Sequence, residues 1–354
     1  MLHQATRSRQ LVDIFHKAGH ILSYDAIKQI DTTLAEATLT SMDSETGAVI
    51  PPNLDKDTFV HFTADNIDIN DASLDGKNSF HATQAAAWQR GADKHHTMYD
   101  IVPSTRTTLA IPEAMDSLIP ANIRINESTP IFREPVQMEW YSPAADSCPS
   151  ECKARATDIA FIVKRNNDIN KTSWTHFNQD MSTVNPEITK VGYLPIIQAP
   201  AHELDTINTV IKRCMHITKT LEQKYVVLTV DQALYCKVME LKWAVPEYRD
   251  ILIPRLGGLH IGMNFLKTIG THMADSGLSE VWTESGILGP LSTEKALAGQ
   301  SYARGMRAHK LTFQALWRIL LPQLTAFLEE HDADLNESIK NSIDDTDQLI
   351  VVID

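Results

Sequence analysis

The chain is poor in positive charge, in cysteine and in long apolar runs. Its 354 residues carry 32 Lys and Arg against 45 Asp and Glu, a formal charge of −13. That balance excludes a protein that wraps nucleic acid with its whole surface and leaves room only for a local basic strip. Four cysteines, Cys148, Cys152, Cys214 and Cys236, are too few for a disulfide scaffold at this length. Cys214 and Cys236 fall in apolar helical stretches and read as reduced core residues. No run approaches the roughly 18 consecutive apolar residues of a membrane span. The N-terminal Met1-Leu-His-Gln-Ala-Thr-Arg-Ser-Arg-Gln has no apolar block followed by a cleavage site. The expectation is therefore a soluble, intracellular protein without membrane contact. Gly-x-Gly-x-x-Gly, Walker and Gly-x-Ser-x-Gly motifs are absent, which removes the ordinary nucleotide-binding and hydrolase readings. There is no internal repeat and no low-complexity tract.

What is present is enough apolar material for a sizeable core, since 43% of the residues are hydrophobic. The length fits one large α/β domain or two ordinary ones. Residues 4–40 predict two short helices, with apolar faces at Leu11, Ile14 and Phe15 and at Ile27, Ile30 and Leu34. Gly19 stops the first, and Ser23-Tyr24-Asp25 caps the second. Thr58 to Ala64 alternates as a strand, and Phe80 to Trp88 follows as its hairpin partner. Residues 90–187 hold eight of the 16 prolines and one helical stretch, Ala154 to Lys164, and read as an insertion of elaborated loops.

Order returns with a strand at Lys190–Gln198 and an amphipathic helix at Thr206–Gln223. Tyr225 to Val230 is a continuous apolar run suited to a sheet centre. A helix from about Ala233 to Trp243, a strand at Ile251–Leu256 and a helix from about His260 to Met273 complete the pattern. Pro254 places that last strand at a sheet edge or a bulge. The final third is helical, with a predicted break near Pro322. An acidic tail covers residues 331–354 and ends on the apolar Leu349-Ile-Val-Val-Ile353. A hairpin sheet followed by alternating helices and strands predicts an α/β fold with a mixed sheet flanked by helices. The element order is that of an RNase H-like core at 55–330, carrying the 90–187 insertion, behind a helical segment at 1–50.

Carboxylates at the ends of buried strands meet at one rim of a sheet. Asp65 and Asp68 follow the first strand and Asp231 ends the central one. In an RNase H-like sheet the first and fourth strands are neighbours. Two or three carboxylates there would hold paired Mg²⁺ or Mn²⁺ for in-line attack on a phosphodiester. Asp231 also precedes a helix, so a plain N-cap is the competing reading. Glu284 is the preferred third carboxylate, with Glu280 and Glu294 as alternatives. His260, after Gly257-Gly258-Leu259, would project toward the same rim and orient a metal ligand or contact phosphate; a capping or core histidine competes. His81, His309 and His95-His96 lack compact ligand spacing, and Cys148-Pro-Ser-Glu-Cys152 is a zinc half-site without a second pair. Arg304, Arg307 and Lys310 make one helix face basic and suit either phosphate contact or plain solvation.

Several blocks together resemble an uncharacterised family of large open reading frames dispersed through animal genomes in the manner of mobile elements. They are Ala64-Asp-Asn-Ile-Asp68, Leu74-Asp-Gly-Lys77, Phe80-His81, Trp174-Thr-His-Phe-Asn178, Val230-Asp-Gln-Ala-Leu-Tyr235, Gly257-Gly-Leu-His260 and Tyr302-Ala-Arg-Gly-Met-Arg-Ala-His309. More distantly, Tyr225 through His260 is similar to the middle of eukaryotic cut-and-paste transposases with an RNase H-like DDE/D core. In those, a catalytic Asp ends an apolar strand and a Cys- or Asp-x-x-His pair follows the next strand. Asp231 and His260 occupy those positions, while Gly257 stands where the pattern has Cys or Asp. With the strand-end carboxylates, the resemblance implies a transposase-derived protein that cuts and joins DNA with Mg²⁺ or Mn²⁺ held by Asp65 or Asp68, Asp231 and a Glu, for which Glu284 is the preferred candidate, in the nucleus if it acts on DNA. The competing reading is a catalytically inactive interaction or scaffold protein of the same fold. The acidic balance and the absence of a recognisable DNA-binding module favour it.

Overall fold

The computed structural model describes residues 8–70, 79–91, 104–123, 149–167, 174–180, 187–342 and Gln348. The chain divides into two compact units, Met1–Ile131 with Glu187–His260, and Phe132–Pro186 with Ile261–Asp354. No helix among the described residues is long and apolar enough to cross a membrane.

The first unit begins with helices α1 (Arg9–Lys17) and α2 (Tyr24–Leu39). Ser23 caps α2 by accepting the Ala26 amide at 3.1 Å, as its position before the helix predicts. The predicted apolar face of α1 is not the buried one. Val12 is buried, whereas Leu11, Ile14 and Phe15 are exposed. Two short helices offer each other too little surface to cover both apolar stripes.

Strands β1 (Val60–Asn70) and β2 (Ser79–Arg90) form a long antiparallel pair. After a one-turn helix α3 (Glu113–Asp116), and after α4 (Pro149–Asn167) and α5 (Trp174–Asp180) of the second unit, come β3 (Thr189–Tyr193), α6 (Leu204–Thr220), β4 (Val226–Val230), α7 (Gln232–Ala244), a short α8 (Pro246–Arg249) and β5 (Leu252–Leu256). The five strands make one mixed sheet in the order β3-β2-β1-β4-β5. β3 runs antiparallel to β2, while β4 and β5 run parallel to β1 and to each other. Pro254 sits on the edge strand β5, where a missing N–H does not interrupt a ladder on both sides.

Alternation along the strands sorts the two faces. Val60, Phe62 and Ala64 on β1, Ala85 and Ala87 on β2, Val226, Leu228 and Val230 on β4 and Leu252 on β5 are buried in one cluster. They pack with Ile207, Val210, Ile211, Cys214 and Ile217 of α6 and Leu234, Val238 and Leu241 of α7. Burial drives the Cys214 thiol upward in pKa and leaves it inert. Cys236, expected in the core, is exposed instead, because it lies on the far side of α7 from Leu234, Val238 and Leu241.

The far side of α6 is buried under polar bonds. Arg213, 1% exposed, donates from Nε to the Thr46 carbonyl at 3.0 Å and from Nη2 to the Met115 carbonyl at 2.8 Å. Asn208 Nδ2 donates to the Ile119 carbonyl at 3.0 Å, and its Oδ1 accepts the Tyr248 hydroxyl at 2.6 Å. The buried Gln89 fastens the loop before β1, donating to the Asp55 and Thr58 carbonyls and accepting the Asp55 amide. Gly192 admits Pro51, whose ring a Cβ at that position would strike.

The second unit is helical: α4 (Pro149–Asn167), α5 (Trp174–Asp180), most of α9 (Gly258–His272), α10 (Leu278–Glu284), α11 (Pro290–Leu297), α12 (Tyr302–His331) and α13 (Ala333–Ser342). Among the described residues it has two small cores. One joins Ala156, Ala160, Phe161 and Phe177 with Ile339 of α13. The other gathers Leu278, Trp282, Ala296 and Ala308, where the Trp282 indole donates to Thr312 Oγ1 at 2.7 Å. α12 runs unbroken through Pro322, contrary to the predicted break. Pro322 and Arg318, whose carbonyl loses its helical donor, are both exposed, so water can take that bond. Part of the acidic tail is ordered: Asp332 accepts the Leu335 amide at 3.0 Å and starts α13. The apolar Leu349–Ile353 lies outside the described residues.

Candidate functional site

The second face of the sheet carries the positions between those buried ones: His61, Thr63 and Asp65 on β1, Gln84, Ala86 and Trp88 on β2, Val227 and Thr229 on β4, and Ile253 and Arg255 on β5. Tyr193 of β3, opposite Ala86, is 75% exposed. This face is mixed in character where the other is mostly apolar, with Thr83 and Gln89 of β2 as buried polar exceptions. The Trp88 indole donates to Thr63 Oγ1 at 2.9 Å, and the His61 ring lies nearly parallel to that of Trp88, 6.3 Å away. Burial, followed by the positive charges of Arg255 and Arg90, holds the His61 pKa below its ordinary value, so the ring is neutral at neutral pH.

The parallel pairing of β1 with β4 sets the register of the rim. Phe62 faces Leu228 and Thr63 faces Thr229. The ladder ends there: Asp231 stands one residue past the end of β4, and β1 continues to Asn70, so Asp65 and Asp68 lie within the first strand and not after it as the sequence predicts. Asp231 is still extended, at φ −68° and ψ 177°. Asp65 is exposed and Asp231 half-buried. Asp65 Oδ1 accepts the Asn66 amide at 2.8 Å, and Asp231 Oδ1 accepts the Leu234 amide at 2.7 Å. Asp231 is thus the N-cap of α7, and the capping bond engages one of its two carboxylate oxygens.

The other expected residues are placed differently. Asp68 pairs with His81 three residues beyond Asp65, a backbone position of opposite pleat parity; its side chain lies outside the described residues. His260 is the third residue of α9 and half-exposed, and Gly257 before that helix donates its amide to the Val230 carbonyl at 2.8 Å. Glu284 is the exposed last residue of α10, in the second unit. Among the described residues, no group of three or more His, Cys, Asp or Glu side chains is placed to hold a metal ion. The rim therefore offers a carboxylate pair, with no third ligand among the described residues. Cys152 is a buried free thiol in α4, and Cys148 lies outside the described residues.

Sequence reasoning missed the His61–Trp88–Thr63 group and Arg255. The signal was available: they share strand parity with Asp65 and Asp231, and the alternation that marks the core also marks this face.

The fold defines a mixed α/β protein whose five-strand sheet carries Asp65 within β1 and Asp231 just past the end of the neighbouring β4. Residues 173–351 match the family model described as a domain of unknown function (DUF8702), and the chain belongs to that family. The matched stretch includes Asp231, His260 and Glu284 and excludes Asp65 and Asp68. No curated protein and no solved structure matches the chain.

Proposed function

We propose that this chain is a transposase-derived protein with an RNase H-like core whose Asp65–Asp231 pair binds Mg²⁺ or Mn²⁺ for cleavage and transfer of DNA strands. The observation that supports the reading is the sheet: order β3-β2-β1-β4-β5, with β4 parallel to β1, Asp65 on β1 and Asp231 one residue past the end of β4. A cation held there would supply the positive charge that a phosphodiester needs as its leaving oxygen departs. The protein's own part is to fix the pair. Asp231 is oriented by its bond to the Leu234 amide, and Asp65 by its bond to the Asn66 amide.

Asp231→Asn isolates charge from structure, because Asn caps a helix as well as Asp does. The variant is expected to melt with the wild type yet lose Mn²⁺-dependent nicking of supercoiled plasmid. Nicking that survives the substitution removes Asp231 from the chemistry. One observation favours a second reading, a non-catalytic interaction protein of the same fold: the described residues supply two carboxylates to the rim and no third metal ligand. Titration calorimetry with Mn²⁺ separates the two, since the scaffold reading requires no saturable site at Asp65 and Asp231.

A further inference from the structure

The helical unit holds an open pocket of about 270 Å³ lined by α4, α5 and α12. Ligand sites run from about 300 to 1,000 Å³, so this one suits a single compact group. Its walls are mostly aromatic. Phe161 of α4 and Trp174 of α5 meet edge to face, with centroids 5.0 Å apart and planes at 78°. Phe313 of α12, 49% exposed, and the half-buried His309 supply the other rings. Burial lowers the His309 pKa, so that ring is uncharged at neutral pH. Gln314 adds a neutral amide. Asp158, one turn before Phe161 on α4, is the one carboxylate among the described residues of the lining.

The set lacks a cation of its own. Among the described residues, Asp158 makes no ion pair and no side-chain hydrogen bond. Partial burial raises its carboxyl above the ordinary value, and no neighbouring charge lowers it. No ammonium or guanidinium of the described residues stands over Phe161, Trp174 or Phe313, although Lys164 covers the adjacent Phe177 at 5.5 Å. Lys310 also lines the pocket, but it is exposed and its ammonium leaves no mark on Asp158, which puts it at the mouth.

Ring faces attract positive charge through their quadrupoles, and a partly desolvated carboxylate gains from it as well. A primary ammonium would lose water that ring carbon cannot replace. An alkylated ammonium spreads the same charge over methyl groups that ring faces can cover. An anion would meet Asp158, and a neutral group would desolvate that carboxylate with nothing in return. From this lining we infer that the pocket between α4, α5 and α12 binds an alkylated ammonium group, with Phe161, Trp174 and Phe313 against its methyls and Asp158 against its charge. Two sources carry that group, a free quaternary ammonium compound and a methylated lysine side chain of a peptide. Binding there needs nothing from Asp65 or Asp231.

Isothermal titration calorimetry of the full chain with choline and with Nε-trimethyllysine amide is the test. At least one should bind saturably, and the tighter of the two assigns the source. The neutral isostere of choline, with a tert-butyl group in place of trimethylammonium, should bind at least about tenfold more weakly than choline, and unmethylated lysine amide more weakly than its trimethyl form. Asp158→Asn and Phe313→Ala, both at exposed positions, should each weaken the bound ligand by about fivefold or more, with the circular dichroism melt unchanged. Lys310→Gln removes a like charge from the mouth and should not weaken it. No saturable binding of either probe, equal binding of the neutral isostere, or full affinity in a folded Asp158→Asn variant would each overturn the inference.

Discussion

The two units solve burial differently. In the first, six to seven strand and helix elements converge on one continuous core, and the large side chains Phe62, Ile211, Leu228, Leu241 and Leu252 are essentially removed from water. In the second, helices of comparable total length share two clusters of four buried residues each, half of them alanine. A sheet offers every strand a flat apolar face, whereas long helices crossing a few neighbours bury only the turns at the crossings. Much of α12 is left with apolar groups in water as a result. Buried apolar area is therefore concentrated in the sheet unit, and exposed apolar area in the helices.

The largest expected effect breaks the first core. Phe62→Ala should cost about 3–5 kcal/mol, as transfer loss and cavity add at a site with no exposure, and should melt the sheet unit by circular dichroism. Ile319→Ala, on the 63%-exposed side of α12, should change stability by no more than about 0.5 kcal/mol. Equal losses at the two positions would end the contrast.

A smaller effect tests the joint between strand and helix. Asp231→Ala should lower stability by about 1 kcal/mol, because it removes the acceptor of the Leu234 amide.

The smallest effect is a pH dependence shared by both units. His61 and His309 each have a pKa lowered first of all by burial. The unfolded chain then binds protons that the folded one refuses, so stability rises with pH between the lowered folded values and the ordinary 6.5. Denaturant midpoints should be flat above pH 6.5 and fall below it. His61→Gln should flatten the profile for the sheet unit and His309→Gln for the helical one.

The sheet was readable because its signals are local. The run Tyr225–Val230, the alternation through Phe62 and Trp88, and Pro254 on the last strand each survive with boundaries shifted by a residue or more. The sequence ends the first strand before Asp65, whereas β1 continues through Asp65 and Asp68 to Asn70. The side chains that decorate the sheet's second face escaped notice because residues such as Trp88 and Arg255 carry no motif, and only the pairing reveals that they share a side. In the helical unit the sequence misled where solvent substitutes for protein. Pro322 reads as a break until its surroundings are known to be water, and Leu11, Ile14 and Phe15 read as core until the area available to cover them is counted. Ile339, in a tail that reads as solvated, packs against the cluster of Ala156, Ala160, Phe161 and Phe177 because the chain turns at Asp332.

The cap at Asp231 has an evolutionary corollary. A single nucleotide change from Asp to Asn would erase the charge at the rim while keeping the hydrogen bond that starts α7. The fold thus imposes almost no purifying pressure against loss of that charge; only a function that needs the anion does. In lineages carrying this chain, the identity of residue 231 is accordingly a record of whether its chemistry has been under selection, written at a position where architecture is indifferent.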